Sequence, residues 1–122
     1  MCVQYLTTAN TDWVKTHFDL ELPPSSAHDV FPTYPGMIVL KSHNTQRTAI
    51  GPARFGLIPA WAKDEDFGRK TYNARSETVS EKPSYKHAWS KRHFALALAD
   101  AFYEPCYESG KAVRTKISQA NQ

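Results

Sequence analysis

The chain has 122 residues and a formal net charge of +3, with 41% hydrophobic and 22% charged residues. These proportions exclude a disordered or collagen-like chain, and no apolar run approaches the ~20 residues that a membrane-spanning helix requires. The N-terminus, MCVQYLTTANTDW, has no basic region followed by an apolar core, so no signal peptide is expected and Cys2 and Cys106 read as cytosolic thiols.

Asn10 and Thr11 precede a short helix predicted to run through about Phe18, with a polar cap at its start. Trp13 or Val14 then faces His17 and Phe18 at helical spacing. Leu22-Pro23-Pro24-Ser25-Ser26 breaks this helix into a loop. Phe31-Pro32-Thr33-Tyr34-Pro35-Gly36 reads as a stiff turn into a short buried strand, Met37-Ile38-Val39-Leu40. Ser42 to Thr48 is polar and reads as a hairpin loop. Arg54 to Trp61 reads as a strand closed by Pro59, and Lys63 to Arg69 as a charged, exposed loop. Ser84 opens a second helix in which Tyr85, Ala88 and Trp89 share one face. Phe94-Ala95-Leu96-Ala97-Leu98-Ala99 is apolar on both faces, as a central strand is. Glu108-Ser109-Gly110-Lys111 is a hairpin turn into an alternating strand, Ala112 to Ile117. The sum is a single α+β domain of several short strands, without internal repeats or low-complexity tracts. Only Ser118 to Gln122 follow the last strand, so its edge stays open unless earlier strands cover it.

Charge is distributed unevenly. Residues 1–30 carry a net −3, whereas residues 69–93 carry a net +5 from Arg69, Lys70, Arg75, Lys82, Lys86, Lys91 and Arg92 against Glu77 and Glu81. Tyr72, Tyr85 and Trp89 are interleaved with these cations. Phosphates attract Lys and Arg while unpaired bases stack on rings, so this mixture suits a single-stranded polyanion. The alternative is a solvated face whose aromatics point into the core.

Four positions carry candidate chemistry. Aminopeptidases remove an initiator methionine that precedes a small residue, so the mature chain is expected to begin at Cys2. An N-terminal cysteine holds an amine and a thiol on adjacent carbons, both nucleophilic near neutral pH. Such an aminothiol condenses with an aldehyde to an imine, and thiol attack then closes a thiazolidine. It can also act as an N-terminal nucleophile in acyl transfer. The alternative is a small buried thiol at a chain end. In Tyr72-Asn73-Ala74-Arg75-Ser76-Glu77-Thr78, Asn73 can hold a carbonyl and Arg75 can fork onto a phosphate, unless the segment is only a capping turn. Glu104 follows Phe102-Tyr103 at the mouth of the apolar strand, where a carboxylate can act as acid or base; the alternative is an exposed glutamate opening a turn before Pro105. His17, His28, His43, His87 and His93 show no metal-ligand spacing with the cysteines, and no phosphate-cradling glycine loop is present, so neither a metal nor another cofactor is expected.

Met1-Cys2, the turn ending Tyr34-Pro35-Gly36, Phe55-Gly56-Leu57-Ile58-Pro59-Ala60-Trp61, Asn73-Ala74-Arg75-Ser76-Glu77-Thr78 and Phe102-Tyr103-Glu104 occur in that order. Together, over about residues 1–117, they closely resemble the SOS-response-associated peptidase family of abasic-site processing proteins. The resemblance implies a mixed α+β fold with a central, largely antiparallel, barrel-like sheet and short flanking helices. It implies a monomer that binds single-stranded DNA containing abasic sites, in the cytoplasm and on the nucleoid at damaged DNA, with no membrane contact. Cys2, freed of Met1, would form a thiazolidine crosslink with the open-chain aldehyde, and residues ahead of the cysteine would be removed autocatalytically. By motif, Asn73 positions the reacting groups, Glu104 is the general acid/base, and Arg75 contacts DNA phosphate. Arg69, Lys70, Trp61 and Lys86 extend that DNA-binding surface.

The chain departs from the family pattern at Val3-Gln4, where Gly-Arg is usual, at Pro32, where an asparagine is common, and at Pro105, where a tryptophan is usual. The family is nearly twice this length. Its later half supplies further strands and a catalytic histidine that neither His87 nor His93 matches. The chain therefore reads as the N-terminal half of the domain. Two functions follow: an active crosslinking protein, or a truncated relative that binds single strands without a covalent product. A cysteine peptidase acting on other proteins ranks below both, because no Cys-His dyad can be assigned.

Overall fold

The structure, a computed structural model, describes residues 2–24 and 27–120. Its strands form two antiparallel sheets with short helices beside them. In chain order the elements are β1 (Gln4–Thr7), α1 (Thr11–Phe18), β2 (Asp29–Val30), β3 (Pro35–Lys41), β4 (Thr48–Arg54), a 3₁₀ turn (Glu65–Lys70), α2 (Lys86–Ser90), β5 (Ala95–Ala97), β6 (Ala99–Cys106) and β7 (Val113–Ser118). One sheet has the order β2-β1-β6-β7 and the other β4-β3-β5. The α+β class and the antiparallel pairing are as expected. Among the described residues the two ladders stay separate and open rather than closing into one barrel.

Helix α1 forms as its sequence dictates. The Asn10 side chain accepts from the Trp13 N–H, Asp12 sits in the first turn, and Asp19 ends the helix at φ 54°. Val14 points inward and packs with Leu22, Val39 and Leu98, against which Phe18, Leu20, Met37 and Ile50 close. This small cluster joins α1 to the three-stranded sheet. Ser25 and Ser26, at the end of the expected breaker loop, lie outside the described residues.

Three expectations need correction. No strand spans Arg54 to Trp61; β4 ends at Arg54, and the chain then turns at Gly56, whose φ is +118°. A side chain at Gly56 would overlap the Gly68 carbonyl, so close backbone contact replaces strand pairing. Phe94 to Ala99 is not a central strand. Among the described residues its Ala95–Ala97 part is an edge strand paired with β3 alone, and Phe94 and Leu96 are exposed. Leu98 then passes the chain between sheets: its N–H donates to Met37 O in one, and its C=O accepts from Thr8 N beside the other. Glu104 accordingly lies within β6 opposite Thr115, and neither Glu104 nor Pro105 opens a turn. The expected loop at Lys63 to Arg69 is exposed but contains the 3₁₀ turn.

The remaining differences are of extent. The strand expected over Met37 to Leu40 runs from Pro35 to Lys41, and the second helix is the single turn of α2, with Tyr85 at its cap and Trp89 exposed. Strand β7 is the edge of its sheet among the described residues, and no earlier strand covers it there.

Candidate functional site

Cys2 sits half-buried just before β1, the strand between β2 and β6. Its thiol donates to the Gln4 carbonyl at 3.3 Å. Asn73 arrives from 71 residues away, and its Nδ2 donates to the Cys2 carbonyl at 2.8 Å. The Asn73 carbonyl in turn accepts from the Tyr85 hydroxyl at 2.8 Å. Burial pushes the Tyr85 phenol above its ordinary pKa, so it remains a donor at neutral pH. A chain of two hydrogen bonds thus runs from the start of α2 to the start of β1.

The floor beside Cys2 is aromatic. Tyr5 packs edge-on against Phe55 with centroids 5.2 Å apart, and Phe55 against Tyr72 at 5.7 Å. Burial raises the Tyr5 phenol, and the negative charge of a Cys2 thiolate adds to that effect. Gly36 makes room for it: a side chain there would overlap the Tyr5 hydroxyl. The glycine of the Tyr34-Pro35-Gly36 turn therefore serves the site through Tyr5.

Cys2, Asn73, Tyr5, Phe55 and Tyr72 line a cleft of about 340 Å³ where the two sheets meet, and Ile38, Arg54, Ala97 and Phe102 are among its other walls. Glu104 lies two residues beyond Phe102 on the same face of β6, since side chains alternate along a strand. It is half-buried and does not itself line the cleft. Arg54 does, and its Nη1 donates to Glu65 Oε2 at 2.7 Å.

A second cleft, of about 430 Å³, lies over the 3₁₀ turn and gathers Trp61, Lys63, Phe67 and Lys70 with Asp64 and Asp66. Trp61 is 58% exposed and meets Phe67 edge-on at 5.0 Å, while the Lys70 ammonium lies 5.8 Å from the Phe67 ring centre. Arg69, Arg75 and Lys86 line neither cleft. Arg69 pairs with Asp66 at 3.5 Å and Arg75 with Glu77 at 3.7 Å, and all four side chains are largely exposed. His93 stands between His87 and His43, with ring centres 6.1 and 5.6 Å away respectively, and none of the three lines either cleft. Among the described residues no group of His, Cys, Asp and Glu could hold a metal ion.

The structure thus joins Cys2 to Asn73 and Trp61 to Lys70, and leaves Arg69, Arg75 and Lys86 as a loose surface. Sequence reasoning did not single out Arg54 or Tyr5, which line the cleft, and named Tyr85 only among the aromatics of the basic segment and on a helix face. Arg54 adjoins Phe55-Gly56, a segment already singled out, but its expected place at the start of a strand gave no sign that it lines the cleft. Tyr85 was expected to pack on a helix face, whereas the structure shows its hydroxyl donating to the Asn73 carbonyl.

The sequence model of the family described as SOS response associated peptidase (SRAP) matches residues 1–120. The abasic site processing protein YoqW of Bacillus subtilis is 39% identical over 108 residues, covering 85% of this chain and 47% of that protein. The abasic site processing protein HMCES of Mus musculus is 39% identical over 67 residues, covering 52% of this chain and 19% of that protein. An X-ray crystal structure of a protein from Bordetella bronchiseptica superposes with a TM-score of 0.79 at 29% identity, over 98% of this chain and 58% of that one. The chain spans about half the length of the first of these relatives.

Proposed function

The chain belongs to the SOS response associated peptidase family, and from that premise we propose that it processes abasic sites in single-stranded DNA through Cys2. The observation that carries this reading is the hydrogen bond from Asn73 to the Cys2 carbonyl, which ties two distant motif residues together at the mouth of a cleft. Removal of Met1 frees the α-amine of Cys2. That amine adds to the C1′ aldehyde of the opened sugar and expels water as the imine forms. The Cys2 sulfur then adds to the imine carbon, its proton passing to nitrogen, and a thiazolidine links protein to DNA. An abasic sugar has no base to unstack, so drawing it into the cleft costs little.

Asn73 fixes the main chain of Cys2 so that amine and thiol face the incoming carbon. Glu104, on the cleft side of β6, is the proton donor and acceptor for sugar opening, a role that typically contributes about 10²–10⁴-fold. Autocatalytic removal of residues ahead of Cys2 uses the same nucleophile. Trp61 and Lys70 offer a ring and a cation to the flanking strand, and Arg69, Arg75 and Lys86 supply phosphate contacts. The DNA-damage response is the setting in which this chemistry acts.

A denaturing gel tests the proposal. Chain lacking Met1 should yield a slower band with an abasic oligonucleotide, and Cys2→Ala and chain retaining Met1 should not. Binding that weakens steeply with salt and leaves no slower band would instead identify a non-covalent single-strand binder.

A further inference from the structure

Arg54 is a cation in the wall of the Cys2 cleft that neither the basic segment 69–93 nor the family motifs bring to notice. It closes β4 opposite Pro35, immediately before Phe55 turns its ring onto Tyr5. Its side chain is 39% exposed, against 67% for Arg69 and 82% for Arg75, and it is the only one of these three that lines the cleft. A guanidinium carries five N–H donors in a fixed plane. Among the described residues one of them, on Nη1, is given to Glu65 at 2.7 Å, so the plane is held while others are left for a ligand in the cleft.

The substrate explains why a held cation belongs there. In an opened abasic sugar the aldehyde carbon is only a few covalent bonds from the phosphate on its 3′ side. When that carbon meets Cys2, the phosphate must lie within the same cleft or at its rim. An anion brought against the aromatic wall of Tyr5, Phe55 and Tyr72 loses water on that side and needs a charged donor in return. Arg forks onto phosphate through two parallel hydrogen bonds, which fixes direction as well as distance.

We propose that Arg54, oriented by Glu65, is the phosphate anchor of the Cys2 cleft, and that it makes the cysteine select a phosphodiester-linked aldehyde over a free one. The inference rests on the Cys2 reading above and names the group that gives it substrate preference. Arg75 and its exposed neighbours then attract the strand at long range, whereas Arg54 sets the position of the lesion.

The experiment compares two substrates in the same chain lacking Met1: an abasic single-stranded oligonucleotide, and propanal, which carries an aldehyde and no phosphate. Thiazolidine formation on both is followed by intact mass. For Arg54→Ala, the ratio of the abasic-strand rate to the propanal rate should fall about tenfold, the scale of a lost charged hydrogen bond. Arg54→Lys should recover part of that ratio, because charge remains and the fork is lost. Glu65→Gln should lower the ratio less than Arg54→Ala. An unchanged ratio in Arg54→Ala overturns the proposal, and so does an equal fall in both rates, which marks a structural role. Wild-type chain that reacts with propanal but not with the abasic strand also overturns the anchor while leaving Cys2 a competent aminothiol. Wild-type chain that reacts with neither overturns the Cys2 reading itself, and the anchor with it.

Discussion

The two clefts are built from similar residue types and held in different ways. Around Cys2, contacts cross long stretches of chain: Asn73 to Cys2, Tyr85 to Asn73, and a row of three rings from Tyr5 to Tyr72. Around Trp61 and the basic segment, partners are close in sequence: Asp66 with Arg69, Glu77 with Arg75, and Phe67 with Lys70. Covalent chemistry needs reacting atoms fixed against one another, and that takes tertiary contacts. Attraction of a flexible polyanion needs charge more than position, and exposed side chains supply it. Substitutions should therefore act on structure and rate together in the first region and on salt dependence alone in the second.

The largest effect is expected where the backbones meet. Gly56→Ala puts a methyl group at φ +118° against the Gly68 carbonyl, and should destabilise the fold by about 2–3 kcal/mol. Urea unfolding should show a lower midpoint at an unchanged slope. Asn73→Ala comes next. It removes the donor to Cys2, and should slow adduct formation about tenfold while costing about 1 kcal/mol of stability. A rate equal to wild type would show that the bond is only structural.

Tyr85→Phe keeps the ring and loses the donor to Asn73, for about 1 kcal/mol and a smaller loss of rate. It also bears on alkaline stability. Burial raises both Tyr5 and Tyr85, so the folded state favours their protonated forms. That contribution is complete below the unfolded phenol value of ~10 and is lost as pH rises through the higher folded values. Stability should fall above that point, and less steeply in Tyr85→Phe. The smallest structural effect belongs to Arg75→Ala, which should leave stability within about 0.5 kcal/mol and flatten the log–log salt dependence of single-strand binding by about one unit.

The same contrast governs how far the residues could be read in advance. Helix α1 was legible because its cap and its inward face are local. The hairpins at Ser42 to Thr48 and Glu108 to Lys111 were legible for a similar reason: polar turn residues separate the runs on either side. Strands β1 and β2 were missed because Gln4–Thr7 and Asp29–Val30 carry too short a pattern, and exist through pairing with each other and with β6. The passage of Leu98 between sheets was invisible, since an apolar run carries no mark of which neighbours its backbone meets. At the candidate site, the order of motifs singled out Cys2 and Asn73, and the structure adds the bond that joins them. Arg54 had no such signal. Its meaning comes from the cleft it lines and from Glu65, eleven residues on in the chain.

Intact mass spectrometry of the chain after incubation with a single-stranded oligonucleotide holding one abasic site tests the central claim most directly. With Met1 removed, the account predicts a denaturation-resistant species whose mass is protein plus oligonucleotide less one water, absent from Cys2→Ser. A folded protein of verified N-terminus that forms no such species, or forms it equally well as Cys2→Ser, would contradict the account.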